Sequence, residues 1–361
     1  MNSTLIQTSI SFAAGLIVCL LLIPVIIKMS LKYKLVDIPN ERKVHTKIIS
    51  RLGGVGIFAS AAIASVVASS SFGAFTGWPV LFTSLLALFL VGIWDDLKNI
   101  SAKLRFALQI AFSTAVAITG IRLTSLYGVF GIEELNTFWQ YFLTIVIITG
   151  STNAFNLIDG VDGLAGGMAL IGLIVLSFIS YSLGLYSLLV ILLAFTGAVI
   201  GFLKNNFSPA KIFMGDGGSL VLGYLLSSTG ILLIEKSNEM QAEINPSRVA
   251  LAVFAILIIP VFDSLRVFAH RIRKGMSPLK ADKTHIHHLF LVAGLNHKKT
   301  ALFLYAFELV LLACAFFLHG IAGISIAILV MVLLFHFITE ILRINQGVET
   351  WLAIIKKMEN E

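Results

Sequence analysis

Apolar runs long enough to cross a bilayer recur along this chain from one end to the other. Taking runs of about 17 to 25 residues as spans, they fall near residues 5–29, 53–70, 78–94, 104–121, 138–157, 166–182, 184–203, 213–234, 249–269, 300–319 and 321–342. The pattern predicts an all-α polytopic integral membrane protein of about eleven transmembrane helices, since a helix satisfies its own backbone in lipid. Charged residues are 12% of 361, against roughly 25% in a soluble domain. Residues 1–361 therefore read as a single transmembrane domain. Within it, 343–361 form a short tail that mixes charges with Trp351, Leu352, Ile354 and Ile355, as a helix lying on the membrane does. The first run lacks a small-residue cleavage site after it and is expected to be retained. Cys19 and Cys314 fall inside apolar runs, where they are small core residues.

The basic residues divide unevenly between the two sets of connections. Of the 26 Lys and Arg, one set holds only Arg122, Lys236 and Arg248. The positive-inside rule puts the other set in the cytoplasm, with the N-terminus outside and the C-terminus cytoplasmic. A net charge of +7 has no soluble basic module to act through, which argues against nucleic acid as a partner. Every polar, chemically suggestive stretch falls on the basic face: 37–54, 94–105, 153–167, 204–219 and 270–297. Simple inter-helix turns would be scattered over both faces.

Three of these stretches carry most of the chemistry. Between two apolar runs, Asn153, Asn156, Asp159 and Asp162 recur every three residues, within reach of one another on a helical segment, and glycines follow from Gly160 to Gly167. Asp95-Asp96 closes the third span. Adjacent carboxylates repel unless a cation intervenes, and a hard divalent ion such as magnesium, held together with substrate phosphates, suits them; a solvated cap paired with Lys98 or Lys103 is the simpler alternative. The run Lys211 to Ser219 sets Asp216 among glycines at a helix start, which fits a phosphate-and-metal site or a helix cap. Phe213 offers a flat face to a base, or is an ordinary span residue.

The loop after the ninth span holds His285, His287 and His288 beside Arg271, Arg273, Lys274 and Lys283. Without thiolates zinc is disfavoured, and the cations suit a polyphosphate. Asp263 is expected to pair with Arg266 one turn on, while Glu308 has no evident partner in the sequence. Carboxylates, cations and glycine-exposed amides thus converge on one face, as phosphoryl transfer between two anionic substrates requires. At a membrane surface one of those substrates can be a lipid.

In order along the chain, Asp37-Ile-Pro-Asn, Gly53-Gly54, Asp95-Asp96, the Asn153 to Leu164 stretch, Phe213-Met-Gly-Asp-Gly-Gly-Ser and Met276-Ser-Pro through His285-Ile-His-His resemble the bacterial polyprenyl-phosphate N-acetylhexosamine-1-phosphate transferases. Their superfamily also includes phospho-N-acetylmuramoyl-pentapeptide transferase. The resemblance runs from about residue 30 to 300 and makes the domain catalytic. It implies transfer of a sugar 1-phosphate from a UDP-N-acetylhexosamine to undecaprenyl phosphate. UMP leaves, magnesium (or manganese) is needed, and a bacterial cytoplasmic (inner) membrane protein starts a cell-envelope glycan such as O-antigen.

By the same resemblance Asp216 would ligate the metal. Asp95 and Asp96 would serve the lipid phosphate and metal, with Asp159 beside them as a catalytic carboxylate. Asn153, Asn156, Asp159 and Asp162 would line the nucleotide site, Phe213 would stack on uracil, and His285, His287 and His288 would hold the pyrophosphate or sugar. Lys47 matches a loop lysine of the muramoyl branch only loosely. The His-Ile-His-His form resembles the hexosamine branch, yet Asn99 stands where many hexosamine enzymes have a third aspartate. A homodimer is left open. The rival from another class is a transporter or flippase of an anionic or lipid-linked substrate, which predicts discontinuous helices and polar groups near the bilayer midplane in both halves.

Overall fold

The structure is a computed structural model, and it describes residues 2–37, 49–68, 79–240, 244–277 and 284–359. Lys47, most of the first polar loop and the 278–283 part of the histidine loop lie outside them. Each of the apolar runs is helical: α1 (Asn2–Lys32), α2 (Gly53–Ala68), α3 (Pro79–Lys98), α4 (Ala102–Ile118), α5 (Thr137–Ile158), α6 (Leu164–Ser182), α7 (Tyr186–Asn206), α8 (Asp216–Glu239) and α9 (Pro246–Arg273). A short α10 (Ile286–Val292) precedes α11 (His297–Glu359). Among the described residues eight helices are long and apolar enough to cross a membrane. One of them, α11, contains the last two runs, and its backbone breaks at Gly323 (φ 79°, ψ 174°), just inside the second of them. The 343–361 tail, expected as a separate surface helix, instead continues α11 as far as Glu359. Two other runs form shorter helices, α2 with 16 residues and α4 with 17.

α8 is the centre. It is apolar on all sides, the pattern of a helix enclosed by others, and its apolar stretch is wholly buried among α2, α3, α5, α6 and α9. Hydroxyls inside the spans return to carbonyls one turn back: Thr152 to Ile148 (2.7 Å), Thr196 to Leu192 (2.7 Å) and Ser227 to Gly223 (2.8 Å). Donors that would be costly in hydrocarbon are satisfied this way. One buried apolar core links residues from Cys19 to Leu342.

The 122–138 connection holds a small antiparallel hairpin of β3 (Ser125–Val129) and β4 (Ile132–Glu134). At this end Glu235 of α8 accepts from the Thr124 amide (3.0 Å), the Thr124 hydroxyl (2.7 Å) and the Tyr127 hydroxyl (2.9 Å). The hairpin also engages α11 just past its break, where Ser325 Oγ accepts from the Phe130 amide (2.7 Å). At the opposite end, β1 (Val36–Asp37) pairs with β2 (Ile49–Ser50). Ser50 then bridges in parallel to Ile212 in the strap before α8.

Candidate active site

The strap and the start of α2 are joined through the backbone. Phe213 N donates to Ser50 O (2.7 Å), Gly53 N to Phe213 O (3.0 Å) and Gly54 N to Met214 O (2.7 Å). This brings the glycine-rich starts of α2 and α8 together, and α3 meets them from the other side. A Cβ on Gly92 would stand 2.6 Å from Gly217 Cα, so α3 approaches α8 backbone to backbone. The consequence falls on the acidic pair. Asp96 turns into the N-terminus of α8, accepting from Asp216 N (2.9 Å) and Gly217 N (3.0 Å), where a carboxylate meets free amides and the positive end of the dipole.

Asp95, 7% exposed, points elsewhere. Its carboxylate meets the Arg105 guanidinium, and the same nitrogen of Arg105 meets Asp216. Asp216 Oδ1 accepts from Asn156 Nδ2 (2.7 Å), which also donates to Ser219 Oγ (3.0 Å). Four helices, α3, α4, α5 and α8, thus each bring one side chain to a cluster in which the Arg105 cation bridges two carboxylates and Asn156 holds one of them. Asn153 is turned away into the α4–α5 seam, where it donates to Thr149 O (2.9 Å) and to Gln109 Oε1.

Asp159 and Asp162 lie on the turn between α5 and α6. Burial, then the charges of Asp96 and Asp162, push Asp159 up from 3.8 to about 7. Burial also acts on Asp162, but a hydrogen bond from His297 and another from the Ala210 amide outweigh it and hold its carboxyl below the usual range. His297 Nδ1 lies 3.2 Å from Asp162 Oδ1. Phe213 is half-buried on the strap.

The histidines close one side of the site. Asp263, 1% exposed, pairs with Arg266 (2.7 Å) as the sequence suggests. It also accepts from the Ile286 amide (2.9 Å) and meets His285 Nδ1 (2.7 Å). One buried carboxylate therefore fixes both the start of α10 and the orientation of His285. His285 and His287 stack with centroids 5.8 Å apart, and His288 lies 4.3 Å from His287. His287 reaches the aspartate turn: a Cβ on Gly160 would stand 2.5 Å from its Nε2. Burial, then His288, push its pKa down to about 3, so it is neutral at physiological pH, with a buried Nδ1 unpaired among the described residues.

Residues 78–234, which include Asp95, Arg105, Asn156 and Asp216, match the model of glycosyl transferase family 4. Over 306 residues the chain is 34% identical to the probable undecaprenyl-phosphate N-acetylglucosaminyl 1-phosphate transferase of Bacillus subtilis, covering 84% of this chain and 83% of that one. The chain belongs to the polyprenyl-phosphate N-acetylhexosamine-1-phosphate transferases. It is also 31% identical over 303 residues to the decaprenyl-phosphate N-acetylglucosaminephosphotransferase of Mycolicibacterium smegmatis, covering 77% of this chain and 73% of that one. With the undecaprenyl-phosphate alpha-N-acetylglucosaminyl 1-phosphate transferase of Escherichia coli it shares 31% over 299 residues, 80% of this chain and 76% of that one.

For a transferase of this family the donor set matters. Among the described residues no three His, Cys, Asp or Glu side chains converge as a ready metal cage. Magnesium seldom uses one: it takes one or two carboxylates and completes its shell with water and substrate phosphates. Asp95 and Asp216, already converging on a cation, fit that requirement.

Arg105 is the residue that sequence reasoning passed over, having counted it only among the basic loop residues. Asn99, in contrast, sits outside the cluster. It is exposed, takes φ 51° and ends α3 through its amide bond to Asp95 O (2.8 Å). This left-handed position favours Asn after Gly. The transferase should therefore keep activity within about twofold in Asn99→Ala, where only the cap is weakened, and lose at least about tenfold in Asp96→Asn, where a charged cap of α8 is lost. A magnesium titration of both variants checks this, and equal losses would put Asn99 in the site.

Proposed function

We propose that this transferase moves N-acetylglucosamine 1-phosphate from its UDP conjugate to undecaprenyl phosphate on the cytoplasmic face of a bacterial inner membrane. The family supplies the reaction, and the relatives' names supply the sugar and the lipid. The observation that carries the reading is the convergence of Asp95 and Asp216 on Arg105 beside the α8 N-terminus, with Asn156 holding the Asp216 carboxylate. The family assignment favours transfer over transport. Purified protein given undecaprenyl phosphate, magnesium and a panel of UDP-sugars should release UMP with UDP-N-acetylglucosamine. No UMP with any of them sinks the proposal.

A lipid phosphate oxygen bonds to the β-phosphorus of the UDP-sugar, the bond from that phosphorus to the bridging oxygen breaks, and UMP departs with the electron pair. The second pKa of a phosphate monoester is about 6, so the attacking group needs orientation more than a base. Asp95 and Asp216 hold the cation end of the site, where a bound magnesium ion would neutralise the pyrophosphate. Asp96 keeps α8 in register beneath them. Asn156 fixes the Asp216 carboxylate, and Arg105 supplies a positive charge beside both carboxylates that suits a phosphate. The histidines, oriented by Asp263, face the sugar-phosphate side. A mainly apolar cavity of about 420 Å³ between the β3 hairpin, α5, α8, α9 and α11, lined by Leu126, Phe254, Phe262 and Ile328 among others, suits part of an isoprenoid tail.

Asp159 gives this reading a pH dependence. Its folded pKa of about 7 lies above the ordinary 3.8, so the fold favours the protonated carboxyl. That contribution is complete below about pH 4 and is lost as pH rises through about 7. Cation binding asks for the ionised form, so magnesium affinity should rise between about pH 6 and pH 8. Calorimetry at several pH values measures it, and a flat profile removes Asp159 from the ion's neighbourhood. The sidedness follows from the basic loops. Reporters fused after Asn206 and after Gly275 should both signal cytoplasm, and an external signal from either reverses the orientation.

A further inference from the structure

The turn that carries Asp159 and Asp162 is held from behind by α11. Gly163 begins α6 with φ 78°, and its amide donates to Asn206 Oδ1 (3.0 Å). Its carbonyl already accepts from the Gly167 amide (2.8 Å), yet it takes a second bond from the Tyr305 hydroxyl (2.5 Å). That bond is not needed to satisfy the carbonyl. Space has been made for it nonetheless: a Cβ on Gly167 would stand 2.1 Å from Tyr305 Cζ and 2.1 Å from its hydroxyl. About two turns earlier on α11, His297 meets Asp162 (3.2 Å). One rigid element thus grips the turn at two points, a carbonyl and a carboxylate, while the same helix follows directly on the histidine segment.

We infer that Tyr305 is a positioning residue for nucleotide-sugar binding, fixing with His297 the turn that presents Asp159 and Asp162. This rests on the reading that the turn belongs to the nucleotide site. Tyr305 sits in an apolar run, where a phenol must find a polar outlet, and its outlet is the backbone of the site. It touches no reacting atom and acts through Gly163. Its removal should alter where the turn sits and how firmly, with little change in the chemistry once both substrates are bound.

The test compares Tyr305→Phe, His297→Gln and Asp162→Asn by steady-state kinetics and by hydrogen exchange across residues 159–167, in the full-length protein. Tyr305→Phe keeps the ring against Gly167 and removes one hydrogen bond, so the KM for UDP-N-acetylglucosamine should rise about fivefold. The KM for undecaprenyl phosphate and kcat should stay within about twofold, and exchange across the turn should quicken. His297→Gln, which has no polar atom at the position of the imidazole Nδ1 that meets Asp162, should shift the same readouts in the same direction. Unchanged exchange in Tyr305→Phe overturns the inference, as does an equal rise in both KM values, which is what a general loosening of the fold produces. Quickened exchange together with an Asp162→Asn that leaves the nucleotide-sugar KM untouched confirms the grip of α11 and removes the turn from the nucleotide site.

Discussion

Asp216→Asn is expected to leave less than about one thousandth of wild-type UMP release while the protein keeps its fold. The side chain is the meeting point of Arg105 and Asn156, and it is one of the two carboxylates that converge on a cation. An amide of the same shape retains an acceptor for Asn156. It loses the charge that opposes Arg105 and the hard oxygen that a divalent ion prefers. The cap of α8 is untouched, because Asp96 binds the backbone amides of Asp216 and Gly217 and not the Asp216 side chain. UMP release and thermal melting in detergent should therefore separate. Melting lowered as far as activity would make Asp216 a structural residue, and undiminished UMP release would remove it from the reaction.

The second large effect comes from a residue with no chemistry of its own. A Cβ on Gly54 would stand 2.2 Å from Gly218 N and 2.6 Å from both Gly217 C and Gly218 Cα. All three are backbone, so no side chain can rotate away. Gly54→Ala must push α2 off the start of α8 and break the pairing of Gly54 N with Met214 O and of Gly53 N with Phe213 O. The loss of stability should be at least about 3 kcal/mol, with activity falling in parallel because Asp216 sits on the displaced helix. Gly320→Ala is the control, since nothing lies within 4 Å of a Cβ there, and it should stay within about 0.5 kcal/mol of wild type. Equal melting temperatures for the two variants would mean that the α2–α8 contact tolerates a side chain.

The helices were legible because their signal is long and one-dimensional: a sustained apolar run needs no knowledge of its neighbours. The pairing of Asp263 with Arg266 could be read for a similar reason, since one helical turn separates them. The β3–β4 hairpin was not legible, as five and three residues between two spans carry too little pattern to distinguish strand from loop. Arg105 was hidden by its surroundings. At a helix start where positive charge is expected from membrane orientation alone, nothing local tells that one guanidinium joins carboxylates 10 and 111 residues away. Asp95 and Asp96 look equivalent in sequence, but successive residues on a helix point about 100° apart. One therefore faces the cation and the other caps a neighbouring helix. Asn99 shows the reverse case: a departure that looks chemical in the motif is conformational in the fold.

The bridge from Ser50 to Ile212 has a consequence for how the molecule is made. The strap that it anchors joins segments some 160 residues apart, and the helix that begins there is the one that α2, α3, α5, α6 and α9 enclose. A chain emerging from the ribosome therefore threads α2 and α3 into the bilayer long before their partner exists, with Asp95 able to pair early with Arg105, a near neighbour in sequence. That early pair shields a carboxylate at the membrane edge while synthesis continues. When α8 arrives, Asp216 joins a cation already in place, and α10 and α11 come last. The turn that carries Asp162 is thus gripped only once α11 has been made, because His297 and Tyr305 reach it from that helix.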